Sequence, residues 1–98
     1  MIATPPTEEQ IEQIAKDLAP DVVRIRFNLG LDWSEDPAIY FRVILSDAAT
    51  ESDRLIGVTK RVEKRLFDEF GLWASDLLPY VRFRSQTDQD RLKEAKWD

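Results

Sequence analysis

Residues 22–29 alternate between apolar and polar side chains, and this alternation constrains the fold more than any other feature of the chain. The segment reads Val-Val-Arg-Ile-Arg-Phe-Asn-Leu, with apolar residues at the odd positions and mostly polar residues at the even ones. A period of two residues is typical of a β-strand with one buried face. Residues 39–45 and 80–84 repeat the pattern. We therefore predict three strands that share one sheet.

The predicted sheet has one apolar and one cationic face. The apolar face carries Val23, Ile25, Phe27, Leu29, Ile39, Phe41, Val43, Leu45, Val81 and Phe83. The opposite face carries Arg24, Arg26, Asn28, Tyr40, Arg42, Ile44, Tyr80, Arg82 and Arg84. We call this second surface the arginine face, because it combines five arginines with two tyrosines and contains no acid. It is the main functional clue in the sequence.

Two amphipathic helices are predicted to cover the apolar face. The spacing of Thr7 and Gln10 predicts a capping box, and apolar residues then recur at helical spacing until the chain reaches Pro20. A longer helix is expected at about 51–70, capped by Thr50 or Ser52 and ended by Gly71. Gly57 inside this helix is interpreted as a position of close packing. Residues 1–6 are expected to form a loose lead, because two adjacent prolines cannot donate backbone hydrogen bonds.

The remaining segments complete an α-β-β-α-β order with a short trailing helix. Strands are expected near residues 21–31, 38–46 and 80–85, and residues 72–79 are predicted to form a loop anchored in the core by Trp73, Leu77 and Leu78. Thr87 and Asp90 suggest the cap of the final helix. The chain is predicted to be a single domain, 1–98, of the α+β class, a two-layer α/β sandwich with its helices on one face of a three-stranded sheet. The third strand should run parallel to the second. The sequence does not decide whether it lies beside the first strand or beside the second.

Composition argues against an enzyme. The chain has no cysteine and no histidine, so it lacks the commonest general base and the usual ligands of transition metals. Its three glycines form no phosphate-binding loop. Asp32, Glu35 and Asp36 could collect a hard cation, but their spacing matches no EF-hand and a polar turn explains them. We expect no catalytic residue, metal or cofactor. Since no signal peptide or membrane span is recognised, we expect a cytoplasmic location.

Three interpretations of the arginine face remain open. It is a solvated surface that acids near the end of the sequence (Asp88, Asp90, Glu94 and Asp98) fold back to neutralise, or a protein interface, or a surface for RNA or single-stranded nucleic acid. The net charge of −5 does not decide between them, because the cations are concentrated on this face. We favour a binding module that engages a second copy or an acidic protein partner, with nucleic acid as the alternative. The predicted binding residues are Arg24, Arg26, Tyr40, Arg42, Tyr80, Arg82 and Arg84.

The order of elements resembles that of type II KH-like domains, such as ribosome-binding factor A. KH domains clamp a nucleic-acid backbone with a G-x-x-G loop. This chain has no such loop, and its long helix is rich in acids. The resemblance is therefore limited to topology, and no functional residue is carried over from it.

Overall fold

The computed structural model describes residues 5–98. The helices are α1 (Glu8–Asp17), α2 (Leu55–Phe70) and α3 (Gln86–Leu92), and the strands are β1 (Val22–Leu31), β2 (Pro37–Leu45) and β3 (Leu78–Ser85). Short 3-10 turns occur at Ala48–Thr50, Leu72–Ala74 and Ala95–Trp97. The order α-β-β-α-β-α and the α+β class agree with the sequence-based prediction. The predicted loose lead falls largely outside the described residues, and within the described part Pro6 is buried.

The sheet has the order β1-β2-β3. β1 and β2 form an antiparallel hairpin, and β3 lies beside β2 and runs parallel to it. The parallel direction was predicted, whereas the neighbour of β3 was left open. β2 is therefore the central strand, which explains why most of its residues are buried, whereas most residues of β1 are exposed and most of β3 are half-buried.

Local sequence signals correctly predict the start of α1 and the end of α2 but not the start of α2. The capping box of α1 is confirmed, since Thr7 Oγ1 accepts from the Gln10 amide and Gln10 Oε1 accepts from the Thr7 amide. Gly71 ends α2 in the left-handed conformation, with φ of 63°. The predicted start of α2 is wrong: the helix begins at Leu55, after a 3-10 turn, and neither Thr50 nor Ser52 caps it.

Gly57 does not serve close packing. A Cβ atom at this position would meet no other atom within 4 Å, and the residue is exposed. The predicted packing role is therefore wrong, because the buried stripe of α2 runs through Val58, Val62 and Leu66 instead.

The core lies between the helices and the apolar sheet face. Ile11 and Ile14 of α1 and the stripe of α2 pack there against Ile25, Ile39, Phe41, Val43 and Leu45. The placement of Val23 in this layer is wrong. The register of β1 shifts between Val22 and Arg24, so Val22 takes the buried position and Val23 is 44% exposed. An extra residue in a bulge reverses the side-chain alternation on one side of it.

Two further expectations about the second half of the chain are wrong. Trp73 is not a core anchor but is 67% exposed; its ring forms a T-shaped pair with Phe67, and its indole N–H donates to Asp68. The final helix is capped by Ser85, whose hydroxyl accepts from the Asp88 amide. Thr87 instead donates to the carboxylate of Asp47, which ties α3 to the loop that follows β2.

An ion pair network around the buried carboxylate of Asp21 connects the start of β1 to α2. Asp21 is only 8% exposed, and its two carboxylate oxygens accept from Arg54 and Arg61. The hydrogen bond from Arg54, opposed by partial burial and helped by Arg61, holds the pKa of Asp21 below its usual value of 3.8. Within residues 5–98 no helix combines the length and apolarity needed to cross a membrane.

Candidate functional site

The register of the sheet arranges the arginine face in cross-strand rows. Arg24, Ile44 and Arg84 form one row, Arg26, Arg42 and Arg82 the next, and Asn28, Tyr40 and Tyr80 the third. Neighbouring strands are about 4.8 Å apart, so the side chains within a row are direct neighbours. We call these the covered row, the arginine row and the tyrosine row. All nine residues lie on the face to which the sequence assigns them.

Residues 94–98 fold back over the covered row. Arg24 donates through Nε to the main-chain oxygen of Trp97 at 3.1 Å, and it also lies 3.3 Å from Asp98 Oδ1. Arg84 forms an ion pair with Glu94 at 2.9 Å, and its guanidinium carbon lies 4.2 Å from the centre of the Trp97 ring. Ile44, between these arginines, is completely buried although it is on the open side of the sheet. Two of the five arginines are therefore neutralised within the chain itself.

Gln89 fixes the path of the 94–98 segment. Its side chain is 2% exposed and sits at the centre of a hydrogen-bond network. Gln89 Oε1 accepts from Arg84, while Nε2 donates to the main-chain oxygen of Glu94 and to Asp98 Oδ1, each at 2.9 Å. The short helix α3 thus positions both the polar and the aromatic contacts of the segment.

The arginine row is not neutralised by carboxylate side chains. Arg26 donates to the main-chain oxygen of Asp98 at 2.8 Å, and Arg42 donates to the amide oxygen of Asn28. Within residues 5–98, none of the three arginines forms an ion pair with an acidic side chain, and Arg82 makes no side-chain hydrogen bond. Like charges directly opposite each other on adjacent strands are destabilising. This row is the part of the face that no acidic side chain of residues 5–98 neutralises.

The tyrosine row forms a rigid wall beside the arginine row. The rings of Tyr40 and Tyr80 stack with centroids 5.3 Å apart and an interplanar angle of 18°. Tyr40 donates its hydroxyl to the main-chain oxygen of Leu31, and Tyr80 donates its hydroxyl to Asp32. The bond to Asp32, together with partial burial and the charge of Asp32, raises the pKa of Tyr80 above 10.0. Both tyrosines are therefore held in place by hydrogen bonds within the chain and by their mutual stacking.

A cavity of about 310 Å³ lies between this wall and the 94–98 segment. Its cations are Arg42, Arg82 and Lys96, and its aromatic walls are Tyr40, Tyr80 and Trp97. Glu94 is the acid on its lining, and it is already engaged by Arg84. We call this the arginine cavity. Its chemistry suits a carboxylate or another anion attached to an apolar stem, since guanidinium groups bind carboxylates in a planar geometry and the aromatic walls cover carbon.

The structure brings together only part of the predicted binding set. Tyr40, Arg42, Tyr80 and Arg82 line the arginine cavity, while Arg26 flanks it in the same row. Arg24 and Arg84 lie beneath the 94–98 segment instead. Sequence reasoning did not assign Asn28, Lys96 or Trp97 to the binding set.

The acidic turn of the hairpin is explained by its own hydrogen bonds. Asp32 accepts from the amides of Ser34 and Asp36 and from the hydroxyls of Ser34 and Tyr80. Although partial burial opposes the shift, these hydrogen bonds lower the pKa of Asp32 below 3.8. No cluster of three or more potential metal ligands occurs in the described part of the chain.

Comparisons of the chain with protein-family models, curated proteins and solved structures found no match.

Proposed function

We propose that this protein is a binding module that holds an acidic segment of a partner protein in the arginine cavity. The observation that carries this proposal is the arginine row: three arginines stand side by side on adjacent strands without an acidic side chain to pair with them. Carboxylates of a partner would relieve their repulsion and gain charge-assisted hydrogen bonds. The non-enzymatic role and the cytoplasmic location expected from the sequence remain predictions.

The surroundings of the arginine row favour a peptide with carboxylate side chains. Tyrosine, tryptophan and arginine are the residues enriched at the centres of protein interfaces. The Tyr40–Tyr80 stack and the Trp97 ring offer apolar area on either side of the cations. An extended acidic peptide can therefore place carboxylates on Arg42 and Arg82 and its aliphatic stems on the rings.

Single-stranded nucleic acid is the second candidate, because aromatic rings beside arginines can stack bases and neutralise phosphates. Two observations weigh against it. Tyr40 and Tyr80 stack on each other, which uses one face of each ring. Both arginines of the covered row already form ion pairs, Arg24 with Asp98 and Arg84 with Glu94, so few unpaired cations remain to contact a phosphate backbone.

The test compares a fluorescein-labelled decaglutamate peptide with a decathymidine oligonucleotide in binding titrations against the wild type and Arg42→Gln/Arg82→Gln. We expect the peptide to bind the wild type, and the double variant to lose about 5–30-fold in affinity, since two partly exposed charge contacts contribute about 1–2 kcal/mol together. Lys60→Gln is the matched control because it removes an exposed positive charge from α2. It should bind the peptide like the wild type.

Three results would contradict the proposal. If Lys60→Gln and the single variant Arg82→Gln lost equal affinity for the peptide, only the net charge of the protein would matter for binding. Tighter binding of the oligonucleotide, with a steep dependence on salt, would favour the nucleic-acid alternative. A concentration-dependent dimer in light scattering that Arg42→Gln/Arg82→Gln abolishes would assign the face to a second copy of the chain.

A further inference from the structure

The end of the molecule at the β1–β2 turn carries an apolar groove that is separate from the arginine cavity. The groove has a volume of about 450 Å³, which lies within the usual range of about 300–1,000 Å³ for ligand pockets. It is lined by Leu29, Gly30, Pro37, Ala38 and Leu77, together with Pro5 and Asp76. Most of its lining is hydrocarbon, so we call it the apolar groove.

Large apolar side chains in the groove lining and in the adjoining part of the β1–β2 hairpin are left in water. Leu29, which lines the groove, is 49% exposed, and Leu31, which pairs with Pro37, is 61% exposed. Trp33 is 93% exposed in the turn that follows. A tryptophan offers about 150–250 Å² of area for burial, and clustered exposed apolar groups commonly mark an interaction surface. A small molecule confined to the groove would leave Trp33 uncovered, whereas a peptide can cover both.

In the three segments that supply most of the groove lining and the adjoining turn, every charged residue is an acid. Residues 5–9, 29–37 and 75–79 contain no lysine or arginine. Their acids are Glu8, Glu9, Asp32, Glu35, Asp36 and Asp76. None of these six acids forms an ion pair with any residue of the described range 5–98, and the side chains of Asp32 and Asp36 accept hydrogen bonds within the turn. Two copies packed through this same end would bring the same six acids together and be repelled, and so would an anionic membrane.

We propose that the apolar groove binds a basic amphipathic segment of a partner protein. Apolar side chains of that segment fill the groove and contact Trp33, while its lysines and arginines face Glu35 and Asp76. Helix-in-groove recognition of this kind depends on apolar anchors at helical spacing, with charged residues beside them to set orientation. The proposal is independent of the acidic segment proposed for the arginine cavity, because the two surfaces have opposite charge and different lining residues.

The experiment uses two synthetic 18-residue peptides: an amphipathic helix of leucine and lysine, and a peptide in which serine replaces every leucine. Binding is measured by fluorescence anisotropy, and contact residues are mapped by amide chemical shifts. We expect the leucine–lysine peptide to bind and to shift the signals of residues 29–37 and 75–79. The affinity of the Trp33→Ala variant for the leucine–lysine peptide should be about 5–10-fold lower than that of the wild type, as expected for a truncated aromatic anchor. Glu35→Gln/Asp76→Asn should also bind more weakly, with a smaller dependence on salt.

The matched control is Ile56→Ala, which truncates an apolar side chain that is 66% exposed on α2, outside this end of the molecule. Because Trp33 and Ile56 are both largely exposed, both variants should keep the fold, which a circular dichroism spectrum checks. Equal binding of the serine–lysine peptide would overturn the proposal, since charge alone would then explain the affinity. An equal loss of peptide affinity in Ile56→Ala and Trp33→Ala would overturn the proposal as well. So would a dimer of the free protein that Trp33→Ala disrupts.

Discussion

Trp97→Ala tests whether the 94–98 segment competes with a ligand for the arginines. Trp97 is 6% exposed and lies under the guanidinium group of Arg84. Burying a tryptophan hides about 150–250 Å² of surface. At about 25 cal/mol per Å², this contributes about 4–6 kcal/mol as an upper estimate. The cation–π contact and the two exposed ion pairs add about 1–3 kcal/mol.

The entropy of ordering the segment nearly cancels this gain. Fixing the backbone of one residue costs about 1–2 kcal/mol, so ordering residues 94–98 costs about 5–10 kcal/mol. The segment is therefore attached with little net free energy, and removing the indole should detach it while the core stays folded. Detachment frees Arg24 and Arg84 and breaks the contact between Arg26 and Asp98.

We expect Trp97→Ala to lower the free energy of global unfolding, measured in urea, by less than about 2 kcal/mol. Hydrogen exchange should show loss of protection in residues 94–98. The affinity for decaglutamate should rise by up to about 5-fold, since the two freed arginines contribute about 0.5 kcal/mol each to binding while the Trp97 ring and Lys96 are lost from the cavity wall. Leu92→Ala is the control, because Leu92 is 46% exposed on α3. A global loss above about 3 kcal/mol with unchanged peptide affinity would refute the reasoning and make the segment part of the core.

Two further predictions concern stability. Asp21→Asn should lower the free energy of unfolding by about 1–2 kcal/mol at pH 7, because it weakens the contacts of a buried carboxylate with two partly exposed arginines. Since the pKa of Asp21 in the folded state lies below 3.8, its contribution to stability is complete above pH 3.8 and is lost as the pH falls through the folded pKa. The difference in the free energy of urea unfolding between variant and wild type should therefore shrink in that pH range. A difference that stays constant with pH would contradict this origin. Gly57→Ala should raise the midpoint of thermal unfolding by stabilising α2 by up to about 1 kcal/mol, because the added methyl group meets no atom within 4 Å; a lower midpoint would show an unrecognised role for this glycine.

The alternation of the strands predicted the two faces of the sheet because β2 and β3 pair without interruption. One irregularity was outside its reach. Val22 and Val23 are identical side chains, so the sequence offered no reason to bury one and expose the other, and the register shift between Val22 and Arg24 decided it. The bulge exposes Val23 but keeps Arg24 on the arginine face. The predicted face survived because the shift occurs at the first residues of β1.

The helix caps and the cover of the arginine face depend on contacts across the chain. Thr7 and Gln10 formed their capping box because both partners are local, whereas Thr87 left its predicted capping role to bond with Asp47, forty residues away. Acids near the end of the sequence were recognised as possible partners of the arginines. Which arginines they reach depends on the left-handed turn at Lys93, with φ of 51°, and on the buried Gln89. Neither residue has a pattern that predicts this role.

The arginine row has an energetic consequence that favours a ligand over a solvated surface. Like charges on adjacent strands cost about 0.2–1 kcal/mol per pair, and the row contains two such pairs, Arg26–Arg42 and Arg42–Arg82. The chain neutralises Arg24 and Arg84 with acids of its own but leaves the neighbouring row without an acidic side chain. Under the proposed function, an acidic ligand would relieve this repulsion in the folded state alone, so its binding would raise the free energy of unfolding. The repulsion among these arginines therefore remains at the place where the proposed acidic segment would gain affinity by relieving it.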